Sequence, residues 1–283
     1  MKANLKNQIK VFFGRGILSH ICFWIIILMI VCAVLAPLIA PYDPNKNDLR
    51  NITAPASAEH WLGTDYLGRD VFSRIVYGAR MSLYTSVLAG VVSAVLGILL
   101  GLIAGYFGGI LNQVIMRITD ALLAIPALIF TLVLASAIGG GVWSIIISIG
   151  ISLTPTYIRM VNGQVLSLRE SDYIIAGKLI GRKNLAILLK HLLPNCFPSL
   201  IVLFTTNLGT GIMQEASMSF LGVGIDPPTA TWGAMVSDGY SYLRSVPLLA
   251  IVPGICIILV VVAFNVVGDG LRDALDPRLR GKL

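Results

Sequence analysis

The chain has 283 residues, 56% of them hydrophobic and only 12% charged, about half the charged share of a soluble domain. That balance excludes an ordinary water-soluble enzyme and a disordered tail, and it makes lipid the solvent for the surplus apolar surface. The formal net charge of +7 is then a matter of position, because membrane proteins keep Lys and Arg on the cytoplasmic side.

Lys2, Lys6, Lys10 and Arg15 precede a charge-free run over residues 21–40. The run exceeds the roughly 7–15 apolar residues of a signal peptide, and Pro37 and Pro41 follow the small residues where cleavage would fall, so it reads as a first span. Residues 81–116 carry no charge, with an exit marked by Gly105-Tyr106-Phe107-Gly108-Gly109. Residues 121–158 are charge-free over 38 positions, enough for two spans of about 20 residues each, with Gly139-Gly140-Gly141 as the turn. Residues 192–214 and 245–268 supply a fifth and a sixth span. The expectation is an all-α integral membrane protein with six transmembrane helices. Its parts are an N-terminal region over 1–80 with one span and a loop, a five-helix core over 81–275, and a basic tail over 276–283.

With the N-terminus inside, 15 of the 21 Lys and Arg fall on the inner side and 6 on the outer. The positive-inside rule places both termini in the cytoplasm. The outer loop over 41–80 balances five basic residues with five acids. The positive charge is thus topology and not a nucleic-acid surface. Cys22, Cys32, Cys196 and Cys256 form no CxxC pair and read as small hydrophobes.

Ala89, Ser93, Gly97, Gly101 and Gly105 recur every four residues and put small residues on one helix face. Lipid offers no hydrophobic drive for helix association, so close backbone approach supplies the attraction. The stripe serves packing within the chain or an interface with another subunit. Pro126 and Pro155 fall within the third and fourth spans and favour kinks. Arg117 and Asp120 are three apart, one helical turn, and are expected to pair.

The long inner loop over 159–195 is polar enough to lie outside lipid, yet its pattern is helical. Ser171 or Asp172 caps a short helix over 173–180, Gly181 ends it, and Asn184 caps a second helix running to His191. Pro194 fits the first turn of the next span. Such a helical hairpin lies on anionic headgroups or plugs into a cytoplasmic partner. His191 has no companion ligand at metal spacing and reads as structural. Glu215 follows a long stretch without charge, and a carboxylate at that depth serves either a polar partner or a pathway. There is no P-loop, HExxH or GxSxG signature, and no nucleophile–base or metal constellation in the spans, so no catalytic residue and no bound cofactor or metal are expected.

Four segments in order carry a resemblance. They are His60-Trp61-Leu62-Gly63-Thr64-Asp65-Tyr66-Leu67-Gly68-Arg69-Asp70-Val71-Phe72-Ser73-Arg74; residues 172–181 continuing to His191-Leu192-Leu193-Pro194-Asn195; Glu215-Ala216-Ser217-Met218-Ser219-Phe220-Leu221-Gly222-Val223-Gly224 with Trp232-Gly233; and residues 264–273. Together they resemble the second permease subunit of bacterial dipeptide, oligopeptide and nickel ABC importers.

The resemblance implies a type I ABC importer permease fold and alternating access. It also implies several partners: a homologous second permease, two cytoplasmic ATPases carrying ATP and magnesium, and an extracytoplasmic solute-binding protein. The position and length of the outer loop over 41–80 make it the expected contact for that binding protein. By resemblance, the loop near 167–195 is the segment that docks on an ATPase, with Tyr173, Ile175, Ala176, Gly177, Gly181, His191, Pro194 and Asn195 as its residues. Ala176 and Gly177 stand where the family has two alanines, and Gly181 matches its glycine. Ile175 stands where the family often has Glu, which argues against a carboxylate anchor. Glu215, Ser217 and Ser219 are the translocation candidates, and Gly97, Gly101 and Gly105 the helix-packing residues. Peptide is the expected cargo, with nickel or a metal–metallophore complex as the alternative. An ion-coupled secondary transporter is the rival class, but its required intramembrane acids are scarce.

Overall fold

The computed structural model describes residues 16–275. The tail bearing Lys2, Lys6, Lys10 and Arg15, and the basic segment 276–283, lie outside the described residues. Among the described residues the regular structure is helical, apart from one isolated antiparallel bridge between Thr64 and Asp70. The helices are α1 (Ile17–Val34), α2 (Val71–Phe107), α3 (Gly109–Leu123), α4 (Ala127–Ile138) and α5 (Val142–Leu168). After them come α6 (Asp172–Leu179), α7 (Asn184–Phe220), α8 (Trp232–Tyr240) and α9 (Leu248–Leu275). Five of them are long and apolar enough to cross a membrane, and the bent pair α3–α4 makes a sixth candidate span.

Helix α2, 37 residues long, differs from the expected span over 81–116. It starts ten residues earlier because Arg74 is buried against Asp65 rather than solvated, while Arg80 stays on the helix surface. Asp70 caps it, accepting from the Ser73 amide at 2.8 Å and the Ser73 hydroxyl at 2.7 Å. Arg74 is only 3% exposed; its Nη1 donates to the Pro44 carbonyl at 3.0 Å, and its Nε lies 3.5 Å from Asp65 Oδ2. Arg69 Nε donates to the same Asp65 oxygen at 2.6 Å. Asp65 Oδ1 meanwhile accepts from the backbone amides of Leu67 and Arg69, both at 2.9 Å. His60 Nδ1 lies 2.8 Å from Asp70 Oδ1. The charged motif over 60–74 is thus a clasp that folds the long loop onto the head of α2. One carboxylate shared by two buried guanidiniums is costly to remove, because either arginine is then left uncompensated. The far end of α2 is set by Gly108, whose φ of 68° suits a residue without Cβ.

The third span is not one kinked helix. Pro126 lacks an N–H and pushes Ile125 out of helical dihedrals, so α3 stops at Leu123 and α4 departs at 97°. With 12 residues, α4 covers only about 18 Å, well short of a hydrocarbon core of about 30 Å. The expected pair does not form, although Arg117 and Asp120 stay one turn apart on α3. Asp120 receives Arg159 Nη2 at 2.5 Å, from α5, in place of Arg117. Pro155, by contrast, stays inside α5.

The bundle is organised on the contact between α2 and α5. A Cβ placed on Gly101 would stand 2.7 Å from Val161 Cβ and 2.9 Å from the Ile158 carbonyl, and one on Gly105 would stand 2.7 Å from Val165 Cβ. Gly97 meets Tyr157 in the same way, and Gly150 of α5 returns the approach against Val92 of α2. The small-residue face therefore meets α5 of the same chain. Around it α7 packs on α2 and α9, while α1 lies outside against α9 and α2, with Cys22 and Ala33 buried there.

Replacing Gly101 by Leu is expected to destabilise the purified chain by about 1–3 kcal/mol through overpacking, read as a lower melting temperature in detergent. Val95→Leu on the exposed side of the same helix should leave that temperature unchanged. Asp65→Ala should cost about 3–5 kcal/mol and sharply reduce accumulation of folded protein in the membrane.

Candidate functional site

The first candidate is the hairpin between α5 and α7. Ser171 precedes α6, but its hydroxyl turns back to the Leu168 carbonyl at 2.5 Å instead of capping the helix. Gly181 ends the turn at φ 79°, a left-handed conformation that costs a glycine little. The residue before the next helix is Lys183, not Asn184. Asn184 is occupied otherwise: its Oδ1 accepts from the Tyr106 hydroxyl at 2.7 Å. Lys178 Nζ stands 5.0 Å above the Tyr106 ring, and Arg169 Nη1 donates to the Gly105 carbonyl at 3.1 Å. Ile174 and Ile187 are buried in one cluster with Leu102, Tyr106, Val161 and Val165. The hairpin is consequently fixed to the ends of α2 and α5.

Pro194 does not begin a new helix. The chain runs on from Asn184 to Phe220, with a wide turn over Leu188–Leu192 in which the Leu193 amide bonds to the Leu188 carbonyl. Pro194 donates no N–H and its ring crowds the preceding turn; the widened turn supplies the room. Asn195 Nδ2 then donates to the His191 carbonyl at 2.6 Å. His191 Nε2 lies 2.6 Å from Arg182 Nη1, and its ring lies 6.4 Å from that of Tyr173. His191 thereby ties the second arm of the hairpin to the first.

What the hairpin leaves uncovered is apolar. Leu179 is 83% and Ile180 81% exposed, with Tyr173 and Ile175 about half exposed beside them. Ala176 is exposed and Gly177 half-buried. A helix of this length with apolar residues all round has two partners: the bundle takes Ile174, and the other face is free.

The second candidate lies along α7 and α9. Asn195, Ser199, Val202, Thr206, Thr210, Met213 and Ser217 follow one another at three- and four-residue steps on α7. Asn265, Asp269 and Arg272 do the same on α9. They line two successive clefts of about 670 and 330 Å³. Gln164 of α5 and Ala127 and Leu128 of α4 complete the walls. The result is a furrow that sets polar side chains among apolar ones, in a helix pair that is otherwise apolar.

Glu215 and Ser219 are on a different face. Glu215 is fully buried; Ser82 of α2 donates to its Oε2 at 3.1 Å and Ser219 to its Oε1 at 2.9 Å. The Trp232 amide reaches Ser82 Oγ at 3.4 Å, so the carboxylate staples α7 to α2 beside the start of α8. Of the three translocation candidates, Ser217 alone borders the furrow. Its hydroxyl donates to the Met213 carbonyl at 2.8 Å, which leaves its lone pairs facing outward.

Residues 97–281 match the family described as "Binding-protein-dependent transport system inner membrane component". The chain belongs to this family. Residues 18–56 also match the "N-terminal TM domain of oligopeptide transport permease C". Among relatives of this permease, the glutathione transport system permease protein GsiD of Shigella flexneri serotype 5b (strain 8401) is 44% identical over 257 residues, spanning 90% of this chain and 85% of the relative. GsiD of Escherichia coli O6:K15:H31 (strain 536 / UPEC) is 43% identical over the same spans. An inward-facing structure of the MetNI methionine ABC transporter superposes with a TM-score of 0.59 at 21% identity, covering 72% of this chain and 97% of that one. At that identity the likeness shows the fold, that of a type I importer permease. The chain is therefore a non-catalytic permease subunit of an ABC importer, multi-pass in the inner membrane.

Two parts of these sites escaped the sequence reading. The free Leu179–Ile180 pair was visible as an excess of apolar residues in a helix too short to bury them all. The furrow was visible as polar residues at helical spacing within an apolar span, although Glu215, as the one charge, drew the eye instead. Removing the Tyr106 hydroxyl (Tyr106→Phe) should cost about 1 kcal/mol and speed amide exchange over residues 172–187. Glu215→Ala should lower thermal stability by about 1–3 kcal/mol, and Glu215→Gln, which keeps the acceptor for one serine, should restore much of it.

Proposed function

We propose that this permease subunit forms half of a translocation pathway for di- and oligopeptides delivered by an extracytoplasmic binding protein. A homologous second permease closes the furrow from the other side. Two cytoplasmic ATPases, carrying ATP and magnesium, drive the cycle, one of them docking on the hairpin. The observation that carries the reading is the exposed apolar face of α6 on a rigidly seated hairpin. Leu179 and Ile180 at the tip, with Tyr173, Ile175 and the small Ala176 and Gly177, suit burial in a groove of a partner. Burying two such side chains yields several kcal/mol, and Gly181 sets the angle at which they are presented. The positive-inside count puts this hairpin in the cytoplasm with both termini, and the 41–70 loop outside, where it meets the binding protein.

The furrow suits a peptide. Its Asn, Gln, Ser and Thr side chains exchange hydrogen bonds with amide groups; its α7 wall carries no charge between Asn195 and Ser217, and the two charges on its α9 wall, Asp269 and Arg272, are of opposite sign. The GsiD relatives, named for glutathione transport, favour a peptide-like cargo over nickel or a metallophore complex. In the transport cycle, ATP-driven closure of the ATPases moves the hairpins and opens the paired furrows outward, and hydrolysis returns them inward. This chain makes and breaks no covalent bond.

Co-expression with the neighbouring reading frames should yield a complex with a second permease and two ATPases. Leu179→Asp or Ile180→Asp places a charge in the docking groove and should remove the ATPases from the purified complex while the chain stays in the membrane. Thr210→Trp should abolish uptake of a labelled dipeptide while the ATPases remain bound. A stable chain that never co-purifies an ATPase would overturn the proposal.

A further inference from the structure

A third cleft, of about 740 Å³, lies at the end of the bundle that carries the 41–70 loop, away from the furrow. It opens between the short helix Ala36–Ile39 with the segment after it, the head of α2, and Thr229 and Ala230. Its polar lining comes from Arg80, Tyr77 and Tyr84 on α2, from Tyr42, Asp43 and Asn45 after that short helix, and from Thr229. We propose that this cleft binds a phospholipid headgroup, with the phosphate on Arg80 and an amine on Asp43. The occupant is then an aminophospholipid of the leaflet at that end.

Depth supports the assignment. Arg80 is the last charge before an apolar stretch of α2 that runs to Phe107. Those 27 residues span about 40 Å as a helix, more than the hydrocarbon core of about 30 Å. Arg80 therefore sits at the boundary, where phosphates lie, with tyrosines around it at the level such side chains favour.

Availability supports it too. Arg80 is exposed and makes no ion pair or hydrogen bond among the described residues. The Tyr42, Tyr77 and Tyr84 hydroxyls are likewise unbonded there. Asp43 Oδ1 accepts from the Asn45 amide at 2.8 Å, leaving Oδ2 open. A guanidinium binds phosphate through paired charge-assisted hydrogen bonds, and an adjacent carboxylate favours a headgroup that also carries an ammonium.

The surface below the cleft fits acyl chains. Tyr84, Val87, Val91, Val95 and Leu99 follow at three- and four-residue steps on one face of α2, and every one is exposed. From Val87 onward the track holds no hydrogen-bonding side chain, so it offers nothing to a peptide and a continuous contact to a hydrocarbon tail. The small-residue face of α2 points elsewhere, into α5.

The test uses the full-length chain, purified in detergent with its associated subunits and stripped of lipid. Short-chain phosphatidylethanolamine, short-chain phosphatidylglycerol and inorganic phosphate are titrated in turn, and bound adducts are counted by native mass spectrometry. The wild type should bind phosphatidylethanolamine in preference to phosphatidylglycerol, and phosphate should not compete at equal concentration. Arg80→Gln should weaken both lipids by about tenfold or more. Asp43→Asn should erase the preference between them.

In the unaltered protein, phosphatidylethanolamine with a photoreactive group in its upper acyl chain should label the segment containing Val87 and Val91. That readout stands even if a variant fails to fold. Unchanged lipid binding in a folded Arg80→Gln would overturn the proposal, as would labelling elsewhere. Competition by free phosphate would make the cleft a simple anion site, and absence of any adduct would leave the face to a protein neighbour; either result ends the lipid assignment. None of these outcomes bears on peptide passage through the furrow, which is assayed separately.

Discussion

Two helices meeting with side chains from only one of them at the glycine crossing underlie everything else in this permease. Where α2 crosses α5, Gly97, Gly101 and Gly105 let Tyr157, Val161 and Val165 press onto bare backbone. In water, apolar side chains would hold such a pair together by leaving the solvent. In lipid that force is absent, and attraction comes from the number of atoms brought into contact. The glycines raise that number by removing the spacer. With α2 and α5 locked, their ends make a fixed seat for the hairpin, and their flank gives α7 and α9 a wall against which to open a furrow. The clasp around Asp65 holds the opposite end of α2 in the same rigid frame.

Polar groups divide into two kinds by what surrounds them. Asp65, Arg69, Arg74 and Glu215 are buried, and the hydrogen bonds they make go to neighbours in the chain. Their isolation from solvent makes them structural, however conspicuous they look in the sequence. Thr206, Thr210, Ser217 and Asn265 are individually unremarkable, and the threonine and serine hydroxyls donate only to their own helix. Those oxygens keep acceptor capacity directed to open space. A pathway needs such groups, because a side chain already committed to a strong partner has nothing to exchange with a moving cargo.

The spans were legible because charge is so scarce that each run between charges is bounded. Gly181 was legible because only a turn explains a glycine after that apolar helix. Other features depended on contacts between distant segments. The start of α2 lay hidden behind Arg74, whose neutralisation by Asp65 and Pro44 no local pattern reveals. Asp120 looked to Arg117 one turn away, yet the approach of α5 delivered Arg159. Asn184 had the side chain of a helix cap, but Tyr106, 78 positions earlier, engages it. In each case a local rule gave a sound partner and the fold supplied a better one.

The continuity of α7 carries a mechanical consequence. One helix of 37 residues, about 55 Å long, holds the second arm of the hairpin at one end and the wall of the furrow further along. No loop intervenes to absorb motion. A tilt of a few degrees imposed at Leu185 therefore arrives at Ser217 as a displacement of ångströms, amplified by the length of the rod. The one soft joint is the widened turn at Leu188–Leu192, followed by Pro194 and Pro198, where backbone hydrogen bonds are fewest. Its stiffness sets the gearing between the force applied at the hairpin and the opening obtained in the furrow.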